Sequence, residues 1–239
     1  MEKNKTGKYL KYAIGEIVLV VIGILIAVSI NNWNEGQKKQ QQKVFYLSNL
    51  QENLKQDTLT LNLNIIQLKN KVKYLKRLSI DLKKISQDSL NFMLVNTLLT
   101  TNGFGSETTT WENLQSTGKI DIIKNQALVD SLYIYHNFNE NSMRIWMESD
   151  QAYSRQNIAP FLMRNFELDY NVPHDSRLIF EPINQDLSSL ENFNNQMHYR
   201  NAMRYKNNVA ITMIDIFEFQ KNRASHILKL IEEDQNINR

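Results

Sequence analysis

The chain has 239 residues, a formal net charge of +3 and no cysteine. The absence of cysteine excludes disulfides, thiolate metal sites and cysteine nucleophiles. The near balance of 28 basic and 25 acidic residues disfavours nucleic acid as a partner, because that partner needs a concentrated basic face.

An apolar run over residues 17–30 predicts a transmembrane helix near the N-terminus. Ser29 is its only polar residue. Tyr12 and Trp33 flank the run at a separation of about 31 Å, which matches a hydrocarbon core with an aromatic residue at each face. We therefore expect a short tail over 1–12, a transmembrane helix over 13–33 and a bundle domain over 34–239.

A cleaved signal peptide is the alternative interpretation of this run. Residues 27–29 read Ala-Val-Ser, which fits a small-x-small cleavage site after a basic N-terminal region. The length of the run and its direct continuation into a predicted helix favour a retained anchor, and the cleavage alternative stays open.

Lysines flanking the run predict its orientation. Four precede it, and those that follow it begin only at Lys38. The bias favours an N-terminus in the cytoplasm. The bundle domain would then lie outside the cytoplasm, in the periplasm of a bacterium with two membranes.

One acidic residue and three small residues of the predicted span suggest contacts of the transmembrane helix. Glu16 lies one turn inside the cytoplasmic face, where an acid can reach toward water and the nearby lysines, or alternatively mark a partner contact. Gly15, Gly23 and Ala27 lie at multiples of four residues, a spacing that allows close approach of a second helix.

A leucine repeat predicts one long helix over 34–86. Leucine recurs every seven residues from Leu47 to Leu82, and no Gly or Pro interrupts residues 37–101. The second heptad row is half polar, so packing within the chain is favoured over a homodimeric zipper, which stays a second possibility. Additional apolar residues are expected to widen the buried stripe: Leu50, Leu63, Ile66 and Leu78.

The remaining segments predict further helices around this one. Residues 88–118 are expected to form short helices, with a turn over 102–105, a capping box of Thr109 and Glu112, and Gly118 as a C-cap. A long helix over 125–166, interrupted at Pro160, a connector over 167–193 and a C-terminal helix over 194–234 follow. The predicted fold is all-α: an N-terminal transmembrane helix followed by a long-helix antiparallel bundle.

The sequence contains no recognisable catalytic, cofactor or metal motif. None of the four histidines lies in a zinc-protease pattern, and His136 with Glu140 would supply only two metal ligands. The best candidate interaction patch is the start of a predicted helix, where Trp111 either faces a groove or closes the core. This patch comprises Trp111, Asn113, Gln115 and Ser116.

Two segments resemble an uncharacterised family of bacterial single-pass membrane proteins. The first is residues 8–27 followed by the Ile-Asn-Asn-Trp-Asn-Glu sequence of 30–35, and the second is residues 110–119. The resemblance implies an inner-membrane protein of unknown function, and it implies no catalytic or ligand residues.

Together these features predict a non-enzymatic, membrane-anchored interaction or scaffold protein of a bacterial envelope complex. The expected partners are the lipid bilayer and a membrane or periplasmic protein, with a second copy of the chain as a further candidate and with neither nucleic acid nor a cofactor. The alternative is an extracytoplasmic ligand sensor that signals through a membrane partner.

Overall fold

The structure is a computed structural model that describes residues 3–80, 82–166, 168 and 196–237. Over these ranges every regular element is helical, which confirms the all-α prediction. The helices are α1 (Lys3–Leu78), α2 (Gln87–Leu94), α3 (Thr109–Ser116), α4 (Gln126–Phe138), α5 (Arg144–Tyr153), α6 (Ala159–Asn165) and α7 (Met197–Ile237). The predicted connector over 167–193, apart from Leu168, lies outside the described residues.

Helix α1 is a single helix of 76 residues, about 114 Å long at 1.5 Å per residue. It begins well before the predicted residue 34 and ends at Leu78, so Leu82 lies in a separate 3₁₀ turn. Its N-terminal part contains an 18-residue stretch with a mean hydropathy of 2.8, and none of these residues is buried. This is one helix long and apolar enough to cross a membrane.

The predicted span residues make no close contact with the rest of the described chain. Gly15 and Gly23 have open space where a Cβ would lie, and Glu16, Ala27 and Trp33 are exposed. Burial begins at Lys43, whose ammonium pairs with Asp234 at 2.6 Å. The first half of α1 therefore projects out of the bundle.

The leucine repeat forms the spine of the bundle. All six leucines, from Leu47 to Leu82, are at most 2% exposed. Helix α7 packs antiparallel along α1, as the pairs Lys43–Asp234 and Lys69–Glu218 show. The repeat is thus buried within one chain, and it is not available as a homodimeric zipper.

Two of the four residues expected to widen this stripe point away from the core. Leu50 and Leu78 are buried, but Leu63 and Ile66 are 61% and 50% exposed. At about 100° per residue, Leu63 lies roughly 200° around the helix from the fully buried Leu61. The expectation that Leu63 and Ile66 join the core was wrong.

The core consists of three apolar clusters stacked along α1. Two leucines of the repeat enter each cluster. The proximal cluster contains Leu47, Leu54, Trp111, Leu132 and Ile227; the middle one Leu61, Leu68, Phe104, Met143 and Phe217; the distal one Leu75, Leu82, Leu94, Ile158 and Tyr199.

Helices α4, α5 and α6 follow one another as a single long helix with two π-helical turns. The Asn125 side chain accepts a hydrogen bond from the Leu128 N–H at 3.2 Å and caps its start. The π turns cover Asn139–Met143 and Ser154–Ile158. The second immediately precedes α6 with Pro160, and the wide turn accommodates a ring that would crowd the preceding helical carbonyl.

The start of helix α3 is not capped as predicted, whereas its end is followed by the predicted glycine. Its N-cap is Thr108, which makes no side-chain capping bond, so Thr109 does not form the capping box with Glu112. Gly118 has φ +66°, the left-handed conformation that favours glycine after a helix.

We predict that Leu61→Asp and Leu68→Asp each unfold the bundle. Both leucines are buried in the apolar middle cluster, and desolvating a carboxylate there would cost about 3–5 kcal/mol. Thermal unfolding of the full chain in detergent, followed by circular dichroism, measures the effect. Ile145→Asp is the control, because Ile145 is 58% exposed. Unchanged melting of both leucine variants would contradict burial of the repeat.

Candidate functional site

In the predicted patch, Trp111 is buried and the other three residues, Asn113, Gln115 and Ser116, are exposed. Trp111 is 4% exposed and packs in the proximal cluster. The Asn113 side-chain carbonyl accepts a hydrogen bond from the Tyr46 hydroxyl at 3.0 Å, which joins α3 to α1. Only part of the patch is therefore accessible to a partner.

Trp111 and Gln115 of the patch line a surface hollow of about 320 Å³ between α3 and α4, whereas Asn113 and Ser116 lie outside it. The Tyr133 ring meets the Trp111 ring edge-on, with centroids 4.7 Å apart. Tyr133 and Ile134 are 44% and 53% exposed, which gives the hollow an apolar rim. We call it the aromatic hollow; its lining residues are Trp111, Gln115, Tyr133, Ile134, His136 and Asn137.

His136 lies at the buried side of the aromatic hollow without a hydrogen-bond partner. Its ring stacks on Trp111 at 5.2 Å with an interplanar angle of 8°. Neither ring nitrogen has a partner in the described part of the chain. A neutral imidazole has one donor and one acceptor, and both nitrogens are closed to solvent, so a water or bound group that satisfies them has to enter beside the ring.

Burial sets the charge of this histidine. It lowers the pKa of His136 to about 4, against a smaller opposing effect of Glu112. The ring is therefore neutral at neutral pH. Within the described residues no three His, Asp or Glu side chains form a cluster that could hold a metal.

A buried hydrogen-bond layer fixes α4, and with it the aromatic hollow, to the other helices. The Tyr135 hydroxyl donates to Asp57 Oδ2 of α1 at 2.8 Å, and the Glu107 N–H donates to Asp57 Oδ1 at 3.0 Å. Gln220 Nε2 of α7 donates to the Tyr135 carbonyl at 3.0 Å. Burial raises the pKa of Asp57 even though these bonds oppose it.

A second polar layer contains two lysines and one aspartate. Lys206 Nζ lies 2.7 and 2.8 Å from the two carboxylate oxygens of Asp150 and 2.9 Å from Ser154 Oγ. Lys71 Nζ donates to the Thr100 carbonyl at 2.9 Å. We call Lys71, Asp150, Ser154 and Lys206 the ionic centre.

The ionic centre is almost closed to solvent. Burial, followed by the nearby Lys206 ammonium, lowers the pKa of Lys71 to about 7, and Asp150 opposes this shift. The cavity beside it measures about 10 Å³, which is room for about one water molecule. The centre can hold α1, α5 and α7 together, but its cavity has no space for a substrate.

These polar layers were not predicted from the sequence. One available signal is the heptad row Leu50, Asp57, Asn64, Lys71 and Leu78, in which polar residues replace leucine at the three central positions. Each of the three makes a hydrogen bond into the 100–108 segment or α4. Polar residues in register with buried leucines indicate interior partners.

We predict that Lys206 and Asp150 are energetically coupled. Lys206→Met strands a buried carboxylate and Asp150→Leu strands buried ammonium groups, each costing about 3–5 kcal/mol. The double variant removes both charges and should be more stable than either single variant. Chemical unfolding of the full chain measures this, with Lys69→Met of an exposed pair as the control. Strictly additive losses would contradict a paired centre.

We predict that His136 weakens the fold as the pH falls from 6.5 to about 4. In this window the unfolded chain binds a proton at His136 and the folded chain does not, so unfolding free energy drops by about 3 kcal/mol. His136→Phe keeps the stacking on Trp111 without titrating. Urea unfolding between pH 6.5 and about 4 should show a smaller decrease in unfolding free energy for the variant than for the unaltered chain. Equal decreases would contradict a neutral, buried ring.

Comparison with known proteins places the chain in a family. A model of the DUF6090 family, a family of unknown function, matches residues 16–148. The match begins in the apolar part of α1 and includes all residues that line the aromatic hollow. No curated protein and no solved structure matches. Because the match covers more than half of the chain, the protein belongs to the DUF6090 family of unknown function.

Proposed function

We propose that the protein is a membrane-anchored interaction protein of a bacterial envelope complex, acting as a scaffold or accessory subunit and not as an enzyme. The first part of α1 spans the inner membrane, with the N-terminus in the cytoplasm and the bundle in the periplasm. The observation that carries the proposal is the continuity of α1 from Lys3 to Leu78. One helix joins a fully exposed apolar segment to the bundle core without a hinge.

Solvation supports the anchor. Apolar side chains surround the helix from Tyr9 to Trp33 and are 47–74% exposed. Water would penalise this surface by about 25 cal/mol for each Å² left exposed, whereas a bilayer removes the penalty. A helix that is apolar on all sides requires an apolar surrounding.

The aromatic hollow supports a protein partner for the bundle. It presents Tyr133 and Ile134 beside the polar Gln115 and Asn137. Exposed aromatic and aliphatic side chains next to polar ones are the usual composition of a protein-binding surface. Its attachment through Tyr135 and Asp57 gives the surface a fixed position on α1.

The second candidate function is a ligand sensor, favoured by the unpartnered ring nitrogens of His136. A ligand hydrogen-bonded there would act on α4, which contacts α1 through the Tyr135–Asp57 bond. Because α1 continues into the apolar segment, a shift of this contact would reach a partner in the bilayer.

We predict that a fixed partner copurifies with the full chain from its native membranes in mild detergent. Ile134→Glu places a charge at the rim of the hollow and should remove the partner, whereas Ile145→Glu, an equally exposed position on α5, should retain it. Mass spectrometry of the copurifying proteins, together with circular dichroism of both variants, measures this.

The outcomes separate the two functions. A stoichiometric membrane or periplasmic protein that is lost with Ile134→Glu supports the scaffold. A solitary chain whose melting temperature rises saturably with an added small molecule supports the sensor. An exclusively cytoplasmic partner for the bundle would contradict the proposed orientation.

A further inference from the structure

The solvent side of α1 carries an apolar face that no helix of the described chain covers. Leu59, Leu63 and Ile66 are 61%, 61% and 50% exposed and lie on the side opposite to the buried leucine repeat. No charged residue lies between Asp57 and Lys69, although this part of the helix faces water. Adding the polar residues at its two ends, we call this face the outer stripe: Gln56, Leu59, Leu63, Ile66 and Asn70.

We propose that the outer stripe binds the same stripe of a second copy of this chain, with the two α1 helices parallel. This interface differs from the leucine zipper considered from the sequence, because those leucines are consumed by the core. The proposal rests on the proposed membrane anchorage, since chains inserted in the same direction present their α1 helices in parallel.

The charge pattern favours a second copy over an unrelated partner. In a two-fold interface each residue on the axis meets its own counterpart, so any charge on the stripe would face an identical charge. The stripe is neutral over its whole length, so two copies can meet there without repulsion between like charges. Beyond the two ends of the stripe, Glu52 would face Glu52 of the other copy and Lys73 would face its Lys73. Repulsion between these like charges limits the contact at both ends.

The polar ends of the stripe also suit self-association. Gln56 and Asn70 are exposed, and each amide carries both donors and an acceptor. An amide that meets an identical amide can therefore form a reciprocal hydrogen bond. Such a pair at a helix interface fixes register and favours two parallel helices.

The geometry of α1 extends the same face into the apolar segment. Leu59, Leu63 and Ile66 lie 36 residues after Gly23, Ala27 and Ile30, respectively. A separation of 36 residues is about ten helical turns, so the two triplets lie on one side of a continuous helix. Gly23 has open space where a Cβ would lie, which allows a second helix to approach closely.

The outer stripe alone buries too little surface for a stable dimer, so the apolar segment has to contribute to the interface as well. Three partly exposed aliphatic side chains bury far less than the roughly 800 Å² per partner of a stable interface. Contact along the stripe and the apolar segment together extends over about 70 Å of helix. A second copy in the same membrane also presents its stripe at the same height above the bilayer, which a soluble partner does not.

The absence of native cysteine makes disulfide crosslinking the direct test. Full-length Ile66→Cys is oxidised in native membranes, and Ile211→Cys, which is 46% exposed on α7, is the matched control. We expect Ile66→Cys to shift from 28.1 kDa to twice that mass and Ile211→Cys to stay monomeric. Adding Leu63→Lys to Ile66→Cys should abolish the shift and leave thermal unfolding unchanged, because Leu63 is exposed.

Three results would overturn the pairing. These are a monomeric Ile66→Cys chain, equal crosslinking of the Ile211→Cys control, and persistence of the dimer in the Leu63→Lys variant. A photoreactive residue at position 66 that yields an adduct of another mass would assign the stripe to a different protein. Alkaline washing of the same membranes tests the anchorage separately: a retained but monomeric chain defeats only the pairing, whereas a released chain defeats the anchor.

Discussion

The organisation of this protein depends on one helix that has to suit two surroundings. Over residues 17–30 α1 is apolar on every side, and from Lys43 onward only one side is buried. Gly36 lies at the change, but the helix continues through it without a break. Any tilt or displacement of the apolar segment is therefore transmitted along α1 to the bundle, and the reverse also holds.

Two polar layers determine how the other helices pack on α1. The Asp57–Tyr135 layer separates the proximal from the middle apolar cluster, and the ionic centre separates the middle from the distal one. Asp57 and Lys71 lie fourteen residues, or two heptads, apart. A slip of α4 or α7 by one turn would leave these buried groups unpaired, so the layers select one register among several that apolar packing alone would allow.

The features with a strong local cause were predicted from the sequence, and those that depend on distant partners were not. The leucine repeat and the glycine at residue 118 follow from periodicity and backbone preference. Leu63 and Ile66 were assigned to the core because they are apolar, although their spacing from the leucine repeat places them on the opposite side of the helix. Lys206 and Asp150 resemble ordinary solvated charges, and only the tertiary structure brings them to 2.7 Å.

The candidate site shows the same division. The sequence drew attention to Trp111 and Gln115, but it did not indicate that His136 stacks on Trp111 or that Tyr133 completes the hollow. A histidine on a helix is compatible with a surface position, a metal site or a buried ring. The choice depends on α3 packing against α4, which no periodicity in either helix specifies.

The continuity of α1 from its apolar segment into the bundle is the central claim, and a distance measurement tests it most directly. Spin labels at Asn34→Cys and Asn70→Cys lie on the same side of an unbroken helix, and both positions are exposed. Pulsed electron paramagnetic resonance on the full chain in lipid nanodiscs, diluted with unlabelled chain, reports their separation. A narrow distribution near about 54 Å is expected for a continuous helix. A broad distribution, or one centred well below that distance, would show a hinge between the apolar segment and the bundle and would contradict the account.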